Sequence, residues 1–436
     1  MKKNRRQPSK NRISNLNYYN MWQAIKKTAK SPRITDAEIR AQVEPVLREI
    51  EKNGILIDLS KIELLSKDVG KQIKKLEKEI LSDLRTKINL DSPSQLSDIL
   101  FKKLKLPTAD LKKTQSGFST AAGELYKIKN SHPAIPKILK YREFSKLKST
   151  YLLPLPKLIA PDGRLHTHYT QDARTGRITS KDPNLQNIPI KGSYGEAIRK
   201  TFIAPRDKIL IAADYSQIEL RIIAAVAGDR HMTEAFVNNR DVHAETAALV
   251  FHKEVNQVTA SERRFAKTIN FGVLYGMTPF GLSQALNISQ EEANRYIFEY
   301  FHAHQGIKEY IEETIFQARK RGFVETLFGF KRVLENITAD NRVAREADER
   351  MAVNTPIQGT AAEILKLAMI NLSKELKKFR ESKLILTIHD ELVVECRKSD
   401  FLEVTKLITQ IMEEVVNLPI PIKVEVKSGN NLAEAK

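Results

Sequence analysis

Two short segments each place a carboxylate at the end of an apolar, strand-like run. The first reads Lys208-Ile-Leu-Ile-Ala-Ala-Asp214 and continues into a helix-like run. The second has two apolar runs that flank His389-Asp390, a pattern typical of a tight hairpin. Both patterns predict a carboxylate that leaves the end of a strand and reaches solvent. Side by side, two such aspartates would hold two divalent cations about 3.5–4 Å apart, the arrangement used for phosphoryl and nucleotidyl transfer.

A helix-like segment between them carries four residues at intervals of four: Arg263, Lys267, Phe271 and Tyr275. On a helix this spacing places them on one slowly drifting stripe. Two cations at its start suit a triphosphate, and two aromatic rings further along suit a sugar and a base. An exposed basic helix face has the same spacing of cations, so the spacing alone leaves both interpretations open.

These three segments resemble motifs A, B and C of family A DNA polymerases, the bacterial DNA polymerase I type. The order and the long spacings agree, and the resemblance runs from about Glu49 to Gly429. Further matching stretches are Ser92-Pro-Ser-Gln-Leu, Lys146-Leu-Lys-Ser-Thr-Tyr151, Thr175-Gly-Arg177-Ile-Thr-Ser, Asp182-Pro-Asn-Leu-Gln-Asn-Ile-Pro189, Asp241-Val-His243 and Asn354-Thr-Pro-Ile-Gln358-Gly-Thr. Two departures from the family pattern are Glu335 in place of a proline and Leu432 where relatives often have tryptophan.

The resemblance implies an α+β, mostly helical fold with the right-hand architecture of palm, fingers and thumb, in which the palm holds an antiparallel sheet. We predict a basic tail over 1–40, the thumb over 41–155, the palm over 156–216 and 336–436, and the fingers over 217–335. About 40 residues precede the predicted thumb, too few for a proofreading-exonuclease or 5′ nuclease domain. We therefore expect a polymerase module alone.

The composition limits the classes of partner and of metal site that the chain can have. The 436 residues carry a formal net charge of +19 and 41% hydrophobic residues. This balance favours a polyanionic partner, although a basic ribosome-binding or membrane-surface protein would share it. No apolar run approaches the length of a membrane span, so we expect no membrane partner. The single Cys396 excludes an intrachain disulfide and a cysteine zinc site, and its apolar surroundings predict a buried thiol.

The first 35 residues contain ten Lys or Arg and no Asp or Glu. We interpret this segment as an arm that adds non-specific DNA affinity, with an organellar transit peptide as the alternative. The predicted location is cytoplasmic and nucleoid-associated, and organellar import stays open.

By resemblance, Asp214 and Asp390 are the metal ligands, with the backbone carbonyl of Tyr215 as an additional ligand. The implied cofactors are two Mg²⁺ ions, for which Mn²⁺ can substitute. They would activate the primer 3′-hydroxyl, hold the triphosphate and stabilise the leaving pyrophosphate. Lys267 is implied as a general acid for the pyrophosphate. Glu391 is either a further catalytic carboxylate or a polar residue of the hairpin.

The resemblance also implies a nucleotide site. Arg263, Lys267 and His243 would contact the phosphates, and Gln217 is a further nucleotide-binding candidate. Glu219 would exclude a 2′-hydroxyl, which favours deoxynucleotides over ribonucleotides, although its position also suits a first-turn helix acid. Phe271 would contact the sugar, and Tyr275 would stack near the templating base. Both aromatic residues could instead belong to the core.

The implied DNA contacts form three groups. Donors that suit the minor-groove edge of every correct base pair are Arg177, Asn354, Gln358 and His389. Arg350 is predicted to contact the template, and the primer–template candidates Asn184, Gln186 and Asn187 could equally be turn formers. The thumb residues predicted to contact phosphates are Lys146, Lys148 and Thr150.

We therefore predict a template-directed DNA polymerase that extends a primer 3′-hydroxyl, and we expect it to be a monomer. Its partners would be primer–template DNA, deoxynucleoside triphosphates and a separate exonuclease or accessory protein. One alternative is a single-subunit RNA polymerase or a reverse-transcribing relative. The other is an inactive DNA-binding subunit with a polymerase fold, which would be expected to have lost Asp214, Asp390 or Lys267.

Overall fold

The computed structural model describes residues 34–115, 117–189 and 192–436. Most of the predicted basic tail, residues 1–33, lies outside this part of the chain. In chain order the helices are α1 (Asp36–Asn53), α2 (Leu59–Asp83), α3 (Pro93–Ser97), α4 (Ala122–Lys127), α5 (Ala134–Leu147), α6 (Gly192–Arg199), α7 (Ile218–Ala227), α8 (Arg230–Val237), α9 (Val242–Phe251), α10 (Ala260–Leu274), α11 (Pro279–Leu286), α12 (Gln290–Ala303), α13 (Gln305–Arg321), α14 (Arg342–Leu376) and α15 (Phe401–Glu414).

The strands are short and pair in antiparallel fashion. They are β1 (Ile55–Leu56), β2 (Lys113–Thr114), β3 (Gly117–Phe118), β4 (Arg164–Leu165), β5 (His168–Thr170), β6 (Thr179–Lys181), β7 (Lys208–Tyr215), β8 (Phe323–Glu325), β9 (Lys331–Val333), β10 (Lys383–Ile388), β11 (Glu391–Arg397) and β12 (Val424–Gly429). Many helices with small antiparallel sheets confirm the predicted α+β, mostly helical fold class.

The largest sheet has four strands in the order β10-β11-β7-β12. Its central strand β7 is apolar from Ile209 to Ala213 and lies between β11 and β12. Helix α15 packs on β7 and β12, whereas α1 and α14 pack on β10. The main hydrophobic core therefore surrounds this sheet, and it fixes the strand ends that carry Asp214 and Asp390.

The carboxy-terminal strand begins later than the sequence pattern indicates. The apolar pattern predicts a strand over Ile420–Val426, but β12 runs from Val424 to Gly429. Pro419 and Pro421 precede it, and proline has no N–H to donate to a strand ladder. The helix predicted over Asp400–Leu418 is present as the shorter α15.

A second, smaller core lies between the end of α2 and the helices α3, α4 and α5. Leu84, Leu96, Leu125 and Ile138 are among its buried members. Because this core is separate from the one around the sheet, the segment has its own source of stability. Helix α1 does not belong to it, since α1 packs against α14 and β10. The predicted boundary at residue 41 thus falls inside a helix that rests on the sheet.

The segment from α7 to α13 is helical throughout its regular structure. Helix α10 begins with a capping box, in which Thr259 and Glu262 each satisfy the other's backbone N–H, and it packs chiefly against α9. None of the helices in the described ranges is both long enough and apolar enough to cross a membrane. Cys396 is fully buried, as predicted.

Candidate active site

One end of the four-stranded sheet carries four carboxylates, Asp214, Asp390, Glu391 and Glu425, and Glu425 on β12 lies directly opposite Asp214. Asp214 on β7 lies directly opposite Glu391 on β11, and directly opposed residues in antiparallel strands have Cβ atoms about 4.5–5.5 Å apart. Asp390 precedes Glu391 in the β10–β11 turn, and its carbonyl accepts a hydrogen bond from the N–H of Tyr215 at 3.3 Å. The two aspartates predicted from separate segments therefore lie at the same end of the sheet. We call this end, where the strand ends carry Asp214, Asp390 and Glu391, the carboxylate edge.

These carboxylates are crowded. Burial, with the nearby charge of Glu391, raises the pKa of Asp214 to about 6, although its side chain still reaches solvent. Burial, with the nearby Glu219, raises the pKa of Asp390 to about 6. Negative charges held together in this way favour a bound cation, and carboxylate oxygens are the ligands that Mg²⁺ prefers. Within the described ranges, no group of three or more His, Cys, Asp or Glu side chains is arranged as a metal site.

Two residues beside the aspartates adopt left-handed backbone conformations. Gln217, three residues after Asp214, has φ of 55°, and His389, directly before Asp390, has φ of 53°. Such conformations cost about 1–2 kcal/mol for residues other than glycine, so the surrounding structure must hold them in place. Tyr215 is fixed as well, because its buried hydroxyl donates to the carbonyl of Met412 at 3.0 Å. Only the main chain of Tyr215 can therefore serve a ligand at this edge.

Glu219 is the centre of a hydrogen-bond network next to the aspartates. It lies in the first turn of α7 and is 5% exposed. Arg177 donates to one of its carboxylate oxygens and the hydroxyl of Tyr275 donates to the other. Gln358 on α14 lines the same cleft as Tyr275 and is close enough to influence the pKa of its hydroxyl. The network thus joins α7, α10 and α14 around residues predicted separately to contact the sugar, the base and the minor groove.

The predicted stripe on α10 is present. Arg263 and Lys267 are exposed near its start, whereas Phe271 and Tyr275 are half-buried near its end. The two rings stack with centroids 6.4 Å apart and planes 21° apart. Arg263 donates through Nε to Asp241 at 2.5 Å. The stripe therefore has an exposed cationic end, which is held partly by Asp241, and a half-buried aromatic end.

His243 lies below this stripe rather than on the surface. It is 1% exposed, its ring centroid is 5.8 Å from that of Phe271, and its Nδ1 accepts from Asn270 at 3.0 Å. Burial, with the charges of Lys267 and Arg263, lowers its pKa to about 4, which makes it neutral near pH 7. Its Nε2 has no partner among the described residues. Sequence reasoning missed Asn270, whose side chain is fully buried. An amide between apolar residues of α10 is the signal that could have pointed to it.

A cleft of about 350 Å³ brings several predicted DNA contacts together. Its lining includes Tyr275, Arg350, Asn354 and Gln358. Gly276 makes this approach possible, because a Cβ there would lie 2.7 Å from Cγ of Arg350 and the residue has φ of +69°. Asn354 Oδ1 is buried without a hydrogen-bond partner among the described residues.

The other predicted DNA contacts lie elsewhere. Asn184 caps the short turn Leu185–Asn187 by accepting from the N–H of Gln186 at 3.0 Å. Gln186 donates to the carbonyl of Thr387 at 3.4 Å, next to the β10–β11 turn. The carbonyl of Asn187 accepts from the hydroxyl of Tyr151. Lys146 lies in the last turn of α5, and Lys148 and Thr150 lie in the π-helical turn that follows.

Two cationic residues at the carboxylate edge were not predicted. Lys436 donates to Glu391 at 2.8 Å, and the buried Arg199 is close enough for Glu391 to influence its pKa. Forty-five positions separate Lys436 from Glu391, and no motif connects them. Their contact depends on how the end of the chain folds back on the sheet.

The comparisons with known proteins agree with this geometry. Residues 59–434 match the model of DNA polymerase family A. DNA polymerase I of Lactococcus lactis subsp. lactis is 42% identical over 403 residues, which cover 92% of this chain and 46% of that protein. The thermostable DNA polymerase I of Thermus aquaticus is 43% identical over 401 residues, which cover 92% of this chain and 48% of that protein. The chain spans about half the length of these curated relatives.

A solved structure is also similar over most of the chain. It is the POL domain of Pol1 from M. smegmatis, in complex with DNA primer-template and dNTP. The TM-score is 0.87 with 38% identity, and the similarity covers 91% of this chain and 70% of that one. The predicted polymerase architecture is therefore confirmed, and the chain belongs to DNA polymerase family A.

Proposed function

We propose that this chain is a template-directed DNA polymerase, which adds deoxynucleotides to a primer 3′-hydroxyl and releases pyrophosphate. The observation that carries the proposal is that Asp214 and Asp390 meet at one sheet edge beside the Glu219 network. The names of the relatives support the same activity. So does the similar solved structure, which is a complex with DNA primer-template and dNTP.

The carboxylates of Asp214 and Asp390 and the carbonyl of Tyr215 would hold two Mg²⁺ ions, or Mn²⁺ in their place. When bound, these ions would supply activation of the primer hydroxyl and stabilisation of the leaving pyrophosphate. The protein contributes a rigid edge, because β7 is hydrogen-bonded on both sides. The raised pKa values of the two aspartates fit a site whose charge is incomplete without cations.

Helix α10 would bind the incoming nucleotide along its stripe. Arg263 and Lys267 would contact the triphosphate, and Nζ of Lys267 would give a proton to the pyrophosphate. His243 accepts at Nδ1, so in its neutral form it carries its proton at Nε2, where it would donate to a phosphate oxygen. Phe271 and Tyr275 would lie against the sugar and the base pair.

Glu219 would select the sugar. Two donors fix its carboxylate, and a rigid acidic wall beside the aspartates would leave no room for a 2′-hydroxyl. This arrangement supports deoxynucleotides as substrates rather than the ribonucleotides of the alternative hypothesis.

The DNA would lie across the cleft that contains Arg350, Asn354 and Gln358, with Arg177 and His389 near the primer end. We assign the thumb to the segment with the separate core, the fingers to the segment around α10 and the palm to the four-stranded sheet with α14 and α15. Lys146, Lys148 and Thr150 would contact duplex phosphates from the thumb, and Asn184, Gln186 and Asn187 would contact the primer–template near β10.

Primer extension tests the proposal. The purified chain is mixed with a labelled DNA primer on a DNA template and with Mg²⁺, and either all four deoxynucleotides or all four ribonucleotides are added. We expect template-dependent full-length product with deoxynucleotides, and none after chelation of the metal. Preferential use of ribonucleotides would favour the RNA-synthesising alternative, and the absence of product with every substrate would refute the proposal.

A further inference from the structure

The segment 430–436 is held against residues 199–204. Arg199, only 2% exposed, donates to the carbonyl of Leu432 at 3.2 and 3.0 Å through Nε and Nη2. The N–H of Leu432 donates to the carbonyl of Phe202 at 3.0 Å. Leu432 and Ala435 are buried. The fold therefore fixes the position from which Lys436 extends its side chain.

Lys436 places its ammonium group at the carboxylate edge. Nζ donates to Oε2 of Glu391 at 2.8 Å, where the side chains of Lys436 and Glu391 are 30% and 4% exposed. The other oxygen of Glu391, Oε1, is buried and has no hydrogen-bond partner among the described residues. Glu391 therefore has one oxygen held by Lys436 and one with unused capacity to accept.

The strand register places the Glu391 carboxylate where it could bind any cation that the two aspartates would hold. It lies directly opposite Asp214 and next to Asp390 in sequence. A buried carboxylate without a partner is strongly unfavourable. If the ammonium were absent, the buried Arg199 would remain near Glu391, but its Nε and Nη2 already donate to the carbonyl of Leu432. A cation held by the two aspartates would then be the other positive charge available to Glu391.

We propose that Lys436 is a positioning residue that holds Glu391 in an ion pair and thereby keeps it from binding the divalent cations of Asp214 and Asp390. The ammonium limits the affinity of the edge for divalent cations and leaves coordination positions for the primer hydroxyl and the triphosphate. This inference rests on the proposed function.

Mn²⁺ binding to the full chain without DNA or nucleotide tests the inference, followed through the electron paramagnetic resonance signal of free Mn²⁺. The variants are Lys436→Met, Lys436→Arg and the control Lys200→Met. The ammonium of Lys200, just after the end of α6, pairs with Glu196 in a well-exposed contact. We expect Lys436→Met to bind Mn²⁺ about three- to tenfold more tightly, because a neighbouring positive charge is lost and Glu391 is released. Lys436→Arg and Lys200→Met should stay within about twofold of wild type.

The same variants are compared in primer extension. Lys436→Met should lower kcat about fivefold or more with little change in the KM for nucleotide. The released Glu391 carboxylate would disturb the alignment of the reacting groups without weakening nucleotide binding. In a Glu391→Gln background, Lys436→Met should change the Mn²⁺ affinity by less than about twofold and leave kcat unchanged, because only the direct effect of the ammonium on Asp214 remains. A wild-type chain that binds Mn²⁺ but extends no primer would refute the proposed function and leave the binding comparison intact.

Two results would overturn the inference itself. The first is an unchanged Mn²⁺ affinity in Lys436→Met, which together with a lower thermal unfolding midpoint would assign Lys436 a purely structural role. The second is an equal change in Mn²⁺ affinity in the Glu391→Gln background.

Discussion

Replacement of Glu219 by alanine should relax the choice between deoxynucleotides and ribonucleotides. The Glu219 carboxylate is 6% exposed and is held by Tyr275 and Arg177. Alanine removes the carboxylate and opens space beside Asp390. The 2′-hydroxyl of a ribonucleotide would enter that space without meeting a negative group.

The magnitude follows from the size of the change. A pocket that differs by one small group discriminates about 10- to 200-fold between substrates, and we expect the ratio of kcat/KM values to shift by this amount toward ribonucleotides. Tyr275→Phe is the matched variant, because it keeps the carboxylate and removes one of its two donors. A hydrogen bond to a charged group contributes about 1.5–3 kcal/mol. This loosening should shift the ratio by less than about tenfold, since Arg177 still holds Glu219.

Single-nucleotide incorporation of deoxycytidine and ribocytidine triphosphate opposite a template guanine measures the ratio. Stability should also fall in Glu219→Ala, by about 1–3 kcal/mol, because the hydroxyl of Tyr275 loses its acceptor. A ratio within twofold of wild type, with both substrates slowed equally, would show that Glu219 acts as a structural helix-start acid.

Three further predictions concern other parts of the molecule. Phe271→Tyr should ease the incorporation of terminators that lack the 3′-hydroxyl, because a phenol can replace the missing hydrogen bond near the triphosphate; unchanged terminator use would assign Phe271 to the core. Deletion of residues 2–35 should weaken DNA binding and flatten its dependence on salt, since each phosphate contact contributes a slope of about −0.9 in log K against log salt; an identical slope would assign the tail to targeting or partner binding. Burial raises the pKa of Glu363 from 4.5 to about 8, so the folded protein binds more protons than the unfolded chain between these values and wild type loses stability as pH rises through that window. Between pH 5 and 8, the free energy of unfolding measured in urea should fall by about 1–3 kcal/mol less in Glu363→Gln than in wild type. Parallel curves of stability against pH for the two proteins would contradict a titrating Glu363.

The sequence allowed the sheet edge to be predicted because its signals are local. The apolar run before Asp214, the hairpin around His389 and the stripe of α10 all follow from the periodicity of strands and helices. These elements are present where the patterns indicate them. Local periodicity was therefore enough to predict the strands and the helix that position the candidate site.

The contacts that organise the site are not local. Glu219 meets Arg177 and Tyr275 across 42 and 56 positions, and Asn270 meets His243 across 27. An amphipathic pattern marks the buried face of a helix but not the element that covers it. The sequence therefore could not show that α1, in which the predicted boundary at residue 41 falls, packs on α14 and β10. Lys436 shows the same limit, because its partner is set by the clamp on Leu432 and not by a motif.

The most direct test of the central claim replaces either aspartate by asparagine, with Asp340→Asn, an exposed position, as the control. Primer extension at saturating Mg²⁺ and the Kd for primer–template DNA are measured on the same preparations. Since the carboxylates would hold the metal ions while duplex affinity comes from the basic surface, Asp214→Asn and Asp390→Asn should lose about 10³-fold or more in kcat and keep the Kd within about threefold. Extension by either variant within about tenfold of wild type, or a parallel loss of DNA binding and activity, would contradict the proposed metal-dependent site.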